Sequence, residues 1–372
     1  MQTASAAAQP KSASLDSVPH DRSANAIIDR AAQELNTEAL KVTARRMALH
    51  CMAFRGADNR RAIQQIVTTT IPFVAIVAAM FATVDTHYWL TLMLAIPAGG
   101  LLVRYFIIQH DCGHGSFFST TQANTWTGRA ISLLTITPYG LWRREHAQHH
   151  AGSGHLEKRG VGDIKTLTIA EYEKLSPLQQ LGYRIYRHPL FLFGFGVPFY
   201  FAVIQRLPWL HPYPPRDTWS SVMGLNVVLV AVWGTVGWFV GYDRLFWIAW
   251  PMLHIATAVG GWLFFIQHQF EDTVWDGADE WSFQVAALHG SSYYVLHPVL
   301  NWFTGSIGLH HIHHLNSMIP NYKLDACLAA SQELQSINRL TLFDSLSCAR
   351  LKLWDEAGRR LVTFEEASTL RA

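Results

Sequence analysis

Histidines occur in this sequence in three groups whose spacing could hold metal. His110 and His114 stand in HDCGH, His146, His149 and His150 in HAQHH, and His310, His311, His313 and His314 in HHIHH. Residues three or four apart lie on one face of a helix, so each group can aim its imidazoles one way. Imidazole is a good ligand for iron and zinc. With 19 histidines in 372 residues, an HxxxH is expected about once by chance but an HxxHH only about 0.05 times. The two HxxHH groups, starting at His146 and His310, are therefore hard to blame on composition. Adding His268, which follows an apolar segment, gives nine candidate ligands: His110, His114, His146, His149, His150, His268, His310, His313 and His314. Four ligands saturate a structural zinc, so two metals, each with several histidines and an open position, suit nine imidazoles better than one. Carboxylate-rich di-iron bundles use paired ExxH motifs, and no matching pair is present.

The elements that must position these groups are apolar. Half of the residues are hydrophobic and only 15% are charged, against roughly 25% in an ordinary soluble domain. Four stretches, residues 66–84, 88–108, 222–241 and 245–266, are long enough to cross a bilayer, which takes about 20 apolar residues in a helix. The turns Asp85-Thr86-His87 and Tyr242-Asp243-Arg244 join them into two hairpins. Lys and Arg gather before the first hairpin, between the two and after the second, while the turns carry only Arg244. Basic residues concentrate on the cytoplasmic side, so both termini, the central loop and the histidine groups are expected there. Arg104, near the end of the second stretch, is expected to snorkel to that side.

Every histidine group then emerges on one face of the membrane. That requires an even number of crossings between His114 and His268, and the second hairpin supplies two. A shorter apolar stretch, residues 190–204, which contains Pro198, is therefore expected to be an interfacial or re-entrant helix. The expected fold is all-α and integral to the membrane: two transmembrane helical hairpins beneath a cytoplasmic helical cap that holds the two-metal site. Residues 1–40 read as a disordered tail, 41–330 as the membrane domain with the histidine groups, and 331–372 as a C-terminal segment of the cap.

The remaining chemistry is sparse. Net charge is +2 and there is no basic run or zinc-finger spacing, so no nucleic-acid partner is expected. Cys51, Cys112, Cys327 and Cys348 are scattered and read as reduced thiols, because disulfide frameworks belong to small secreted chains. The isolated histidines, His254 within the fourth stretch among them, read as packing or surface residues. Asp111, Asp163, Glu271 and Asp272 are candidates to accept hydrogen bonds from ligand imidazoles. Phe264 and Phe265 read as core or lipid-facing.

The order HxxxH, HxxHH, HxxHH around two hairpins resembles the membrane fatty acid desaturase family over roughly residues 65 to 330. The wording of HDCGHGSFF, REHAQHHAGSGHLEKRGVGDIKTLT, GLHHIHHLNSMIPNYKL and IQHQFEDTVW is similar to the acyl-lipid branch of delta-12 or omega-6 type. The resemblance implies that the nine histidines ligate two iron ions, with His311 at a variable position. It implies O2 as co-substrate, an acyl lipid as substrate, a cis double bond as product, and electrons from an external ferredoxin or cytochrome b5 type donor. His310 stands where front-end desaturases carry Gln, and no HPGG-like haem segment is present, which disfavours that branch. A hydroxylase or ketolase acting on an alkane or carotenoid is the alternative on the same scaffold. A histidine-rich metal transporter would instead place its ligands within the spans.

Overall fold

The computed structural model describes residues 22–160 and 163–370. The chain forms two compact units, Met1–Thr43 and Ala44–Ala372. Of the first, the described part is helical, within α1 (Arg22–Met52). Residues 1–21 of the expected disordered tail lie outside the described residues. The second unit carries everything that follows.

Its frame is the two hairpins, α2 (Asn59–Thr83) with α3 (Tyr88–His114) and, later in the chain, α10 (Pro215–Val240) with α11 (Tyr242–His268). These helices have 25 to 27 residues, or about 38–40 Å at 1.5 Å per residue, against an apolar bilayer core of about 30 Å. The excess over the apolar stretches lies at one end of the bundle, where α2 and α10 begin and α3 and α11 finish. Asp58 starts α2 by accepting the N–H groups of Arg60 and Arg61. Gly115, at φ 74°, stops α3 directly after His114 and sends its N–H back to the helix, a left-handed conformation that glycine adopts without cost.

Helix α3 is the centre of the bundle: 61% of its most apolar window is buried, against 17% for α2 and α10. It meets α11 through small residues. Ala95 and Ala98 are fully buried, and a Cβ on Gly99 would come within 2.7 Å of the Ile255 side chain. Close backbone approach through small side chains is how helices associate where lipid removes the hydrophobic drive. An ion pair of 2.7 Å between Asp85 and Arg244 ties the two hairpin turns together, so both turns lie at the same end.

Between the hairpins, α4 (Thr121–Thr135) packs back on α3, and α5 (Tyr139–Gly152) returns to carry the second histidine group. The α4–α5 crossing is tight, since a Cβ on Gly128 would sit 2.3 Å from the Tyr139 ring. Helices α6 (Ile169–Glu173) and α7 (Pro177–Tyr186) follow. On α7, Leu178, Leu181 and Ile185 are exposed at helical spacing, an apolar stripe suited to lying on a bilayer surface.

The stretch Pro189–Arg206 is apolar and, by length and composition alone, one of five helices able to cross a membrane. It is built from α8 (Pro189–Phe191), a π-helical turn (Leu192–Gly196), α9 (Val197–Ala202) and a 3-10 turn (Ile204–Arg206). Both its ends lie at the histidine end of the bundle. At the start, Arg187 donates to Gln269 Oε1 at 2.6 Å, one residue beyond His268. Just past the far end, His211 meets Glu145, next to His146, at 3.1 Å, and Tyr200 reaches the same carboxylate at 3.4 Å. The stretch is thus tied to the residues around the histidines at its start and just past its end.

The cap holds α12 (Phe283–His289), α13 (Pro298–Phe303), α14 (His310–Leu315), α15 (Asn321–Ala329), α16 (Leu342–Cys348) and α17 (Phe364–Thr369). Two small sheets, absent from the sequence reading, lock the C-terminal segment to the rest. Strand β1 (Leu167–Thr168) pairs in parallel with β4 (Leu353–Asp355), which pairs with β5 (Arg360–Val362), while β2 (Tyr293–Tyr294) pairs with β3 (Arg339–Leu340). Arg187, 1% exposed, joins these layers through Lys165, Thr166, Gln269 and Leu351. Arg104 differs from expectation. Instead of snorkelling, it is buried beneath Trp302, whose ring lies 4.2 Å away, and donates to Thr69 Oγ1 and the Trp302 carbonyl. The carbonyl and hydroxyl replace water as acceptors.

Candidate metal centre

The nine histidines named from spacing are brought together, and they divide into two sets. His110, His114, His146, His150 and His313 form one, and His149, His268, His310 and His314 the other, with ligand atoms inside each set within 4.8 Å of one another. Helix geometry explains the division. An i,i+4 pair stays within about 40° on a helix, whereas i+3 lies about 60° to the other side. On α5, His146 and His150 therefore face one set and His149 the other. On α14 the roles reverse: His310 and His314 share a set and His313 crosses to its neighbour. His110 and His114, an i,i+4 pair at the end of α3, join the larger set. The rings of His150 and His314 stack at 4.1 Å, which places the two sets side by side.

Whether these residues suit a metal can be tested on the nitrogens. A ring nitrogen offers one lone pair or one N–H, and so can serve one partner. Yet His150 Nε2 lies 3.1 Å from both His146 Nε2 and His313 Nε2. His268 Nε2 lies 3.0 Å from both His149 Nε2 and His310 Nε2. His314 Nε2 is buried with no partner at all. Hydrogen bonds cannot satisfy such convergence, whereas a cation shared by each set does. Adjacent ligands at ~2.1 Å from a metal are ~3.0 Å apart in an octahedron and ~3.4 Å apart in a tetrahedron. The observed 2.9 to 3.1 Å contacts match the octahedral edge, and five and four ligands leave open positions.

Burial tunes the same groups. His146, His149, His150, His310, His313 and His314 are held well below the ordinary imidazole range, by desolvation first and by their neighbours second. They are neutral at physiological pH, which is the form that ligates. Two rings are steered by their other nitrogen. His110 Nδ1 donates to Asp111 Oδ1 at 3.0 Å, and Asp111 Oδ2 accepts the Asn321 N–H at 2.6 Å. His268 Nδ1 faces the Gly290 carbonyl at 3.3 Å. Such partners fix tautomer and ring orientation.

Of the four carboxylates expected to support ligands, only Asp111 does so. Asp163 accepts the N–H of Ile164, and Glu271 and Asp272 are exposed. His311 points away: its Nε2 meets the Leu334 carbonyl at 3.0 Å and its ring stacks on Tyr293. His254 lies beside Trp250 within α11, far along the helix from His268. Two aromatic neighbours belong to the site, Trp142, which the sequence did not single out, and Phe264, which reads from sequence as core or lipid-facing. Trp142 stacks on His146 at 4.7 Å, and Phe264 lies 5.1 Å from His149. Their spacing held the signal, since Trp142 lies four residues before His146 and Phe264 four before His268.

Comparison with known proteins decides the family. The fatty acid desaturase family model matches residues 86–342. The chain belongs to this family. A fatty acid desaturase of Bacillus subtilis is 36% identical over 312 residues, covering 84% of this chain and 88% of that one. An sn-1 acyl-lipid omega-3 desaturase (ferredoxin) of Synechocystis is 28% identical, covering 66% and 68%. An sn-1 oleoyl-lipid 12-desaturase of Anabaena variabilis is 23% identical, covering 66% and 70%. This desaturase is accordingly an oxidoreductase, predominantly helical, with membrane-spanning hairpins and histidine clusters able to bind metal.

Proposed function

We propose that this desaturase is a non-haem di-iron enzyme that introduces a cis double bond, of delta-12/omega-6 type, into an acyl chain of a membrane lipid. The observation that carries the reading is the pair of histidine sets, five and four, packed side by side where the membrane helices emerge, the set of four buried and the set of five partly so. His110, His114, His146, His150 and His313 would hold one iron, and His149, His268, His310 and His314 the other. When bound, the irons supply, with O2, the two-electron oxidation that takes hydrogens from adjacent methylenes. The protein fixes the imidazoles neutral and oriented, with Asp111 setting His110. It walls the site with Trp142 and Phe264, keeping water out, and its contribution to rate is placing one methylene pair beside the metals.

Electrons come from an external ferredoxin or cytochrome b5 type donor. The 12-desaturase of Anabaena and the ferredoxin named for the Synechocystis enzyme support these choices. The charge pattern supports an orientation with both termini and the histidine sets cytoplasmic. Residues 41–330 form the desaturase domain and 331–372 complete the cap. The test is the fatty acid profile of a host expressing the chain with a matched donor, beside a His146→Ala control. A new diene with its second bond nearer the methyl end, absent in the control, is expected. A hydroxylated product would transfer the chain to the hydroxylases on this scaffold.

A further inference from the structure

A cleft of about 750 Å3 lies between α4, α5 and α10, and none of the nine histidines lines it. Its lining is graded. One end carries Arg129, Arg143 and Arg144 with a single carboxylate, Asp217. Arg144 takes that carboxylate at 2.6 Å. Arg129 lies over Trp126 at 5.1 Å, and neither it nor Arg143 has an ion-pair partner among the described residues. The other end is apolar, with Leu133, Leu225 and Val228.

The gradient runs along α10. Asp217 stands in the first turn of α10, at the histidine end of the bundle. Val228 lies eleven residues further along the same helix, about 16 Å deeper. Beside the cleft, Val227 and Val230 are exposed and face the lipid. The cleft thus offers two exposed guanidinium groups without an ion-pair partner among the described residues, Arg143 beside Arg144 and Arg129 one helical turn before Leu133, next to an apolar trough. Guanidinium forks suit a phosphate's oxygens, while an uncharged sugar headgroup would leave both charges unpaired.

We infer that this cleft is a headgroup subsite, in which Arg129 and Arg143 hold the phosphate of a membrane glycerophospholipid and one acyl chain lies along Leu133, Leu225 and Val228. This names the lipid class, and it rests on the desaturase reading only in treating that lipid as substrate. The test titrates the purified full-length chain with phosphatidylglycerol or digalactosyldiacylglycerol of the same acyl composition, reading bound lipid by native mass spectrometry. Each arginine near the lipid surface is worth about fivefold in affinity, so Arg129→Gln with Arg143→Gln should weaken phosphatidylglycerol about thirtyfold and leave the galactolipid unchanged. Leu225→Trp, which fills the trough, should weaken both. Retained metal content reports folding of each variant. Equal binding of the two lipids, or a double variant that binds phosphatidylglycerol as the parent does, would overturn the proposal. So would displacement of the lipid by micromolar inorganic phosphate, which would mark a site for the free anion. If the binding pattern holds but neither lipid is desaturated, the subsite stands and the substrate reading fails.

Discussion

The assignment of His268 can be tested against His311, because the sequence treats the two in opposite ways from their geometry. His311 sits inside a histidine group and His268 stands alone. His268 Nε2 is nonetheless 3.0 Å from both His149 Nε2 and His310 Nε2, while His311 Nε2 is bonded to the Leu334 carbonyl. In His268→Ala the smaller set keeps three imidazoles and the larger set keeps its five. Loss of a partner that merely supports a ligand costs 10–100-fold in metal affinity. Loss of the ligand itself should cost at least about 100-fold, or about 2.8 kcal/mol. Iron measured on purified protein after dialysis against a graded chelator should fall from about two to about one per chain, and desaturation should cease. His311→Ala should keep both irons. A His268→Ala protein that holds two irons as tightly as the parent, or a His311→Ala protein that loses one, would refute the division of the histidines argued above.

Three further outcomes are expected. Asp111→Asn replaces one of the two carboxyl oxygens that join His110 to Asn321 and should weaken iron in the larger set by 10–100-fold, read by the same dialysis, with the smaller set unaffected. The metal-free protein should lose stability as pH falls below about 6.5. Burial holds the histidines of α5 and α14 below that value in the folded state, so the unfolded chain binds more protons there. Thermal melting from pH 8 to pH 5 measures it, and a flat profile would contradict the burial argument. Finally, a single cysteine placed at Thr86 should react with an impermeant maleimide added outside intact cells. One placed at Lys174 should react only after permeabilisation; the reverse pattern would invert the proposed orientation.

Much of this arrangement is legible in the sequence because apolar length and helical spacing are local properties. The two hairpins follow from uninterrupted apolar runs, and the convergence of nine histidines follows from one group at each helix end. The expectation of an interfacial or re-entrant helix over residues 190–204 comes from parity alone, since length and composition allow a span. What is not legible depends on distant partners. Helix α4 has no long apolar run, and its place is set by packing on α3. The strands at Leu353 and Arg360 are three residues each, too short to show a period. Arg104 reads as a snorkelling residue because only the folded chain supplies Thr69 and the Trp302 carbonyl.

The reciprocal division of α5 and α14 restricts how such a sequence can vary in length. Each helix serves both metal positions at once, through residues three and four apart. One residue inserted between His146 and His149 would turn the later imidazoles by about 100°, removing a ligand from both sets in a single step. Loops between the groups face no such penalty, because only the helix ends must meet. Among chains built on this plan, insertions and deletions should collect in the connections and be purged from within the histidine groups, even where individual spacer residues such as Ala147 and Gln148 change freely.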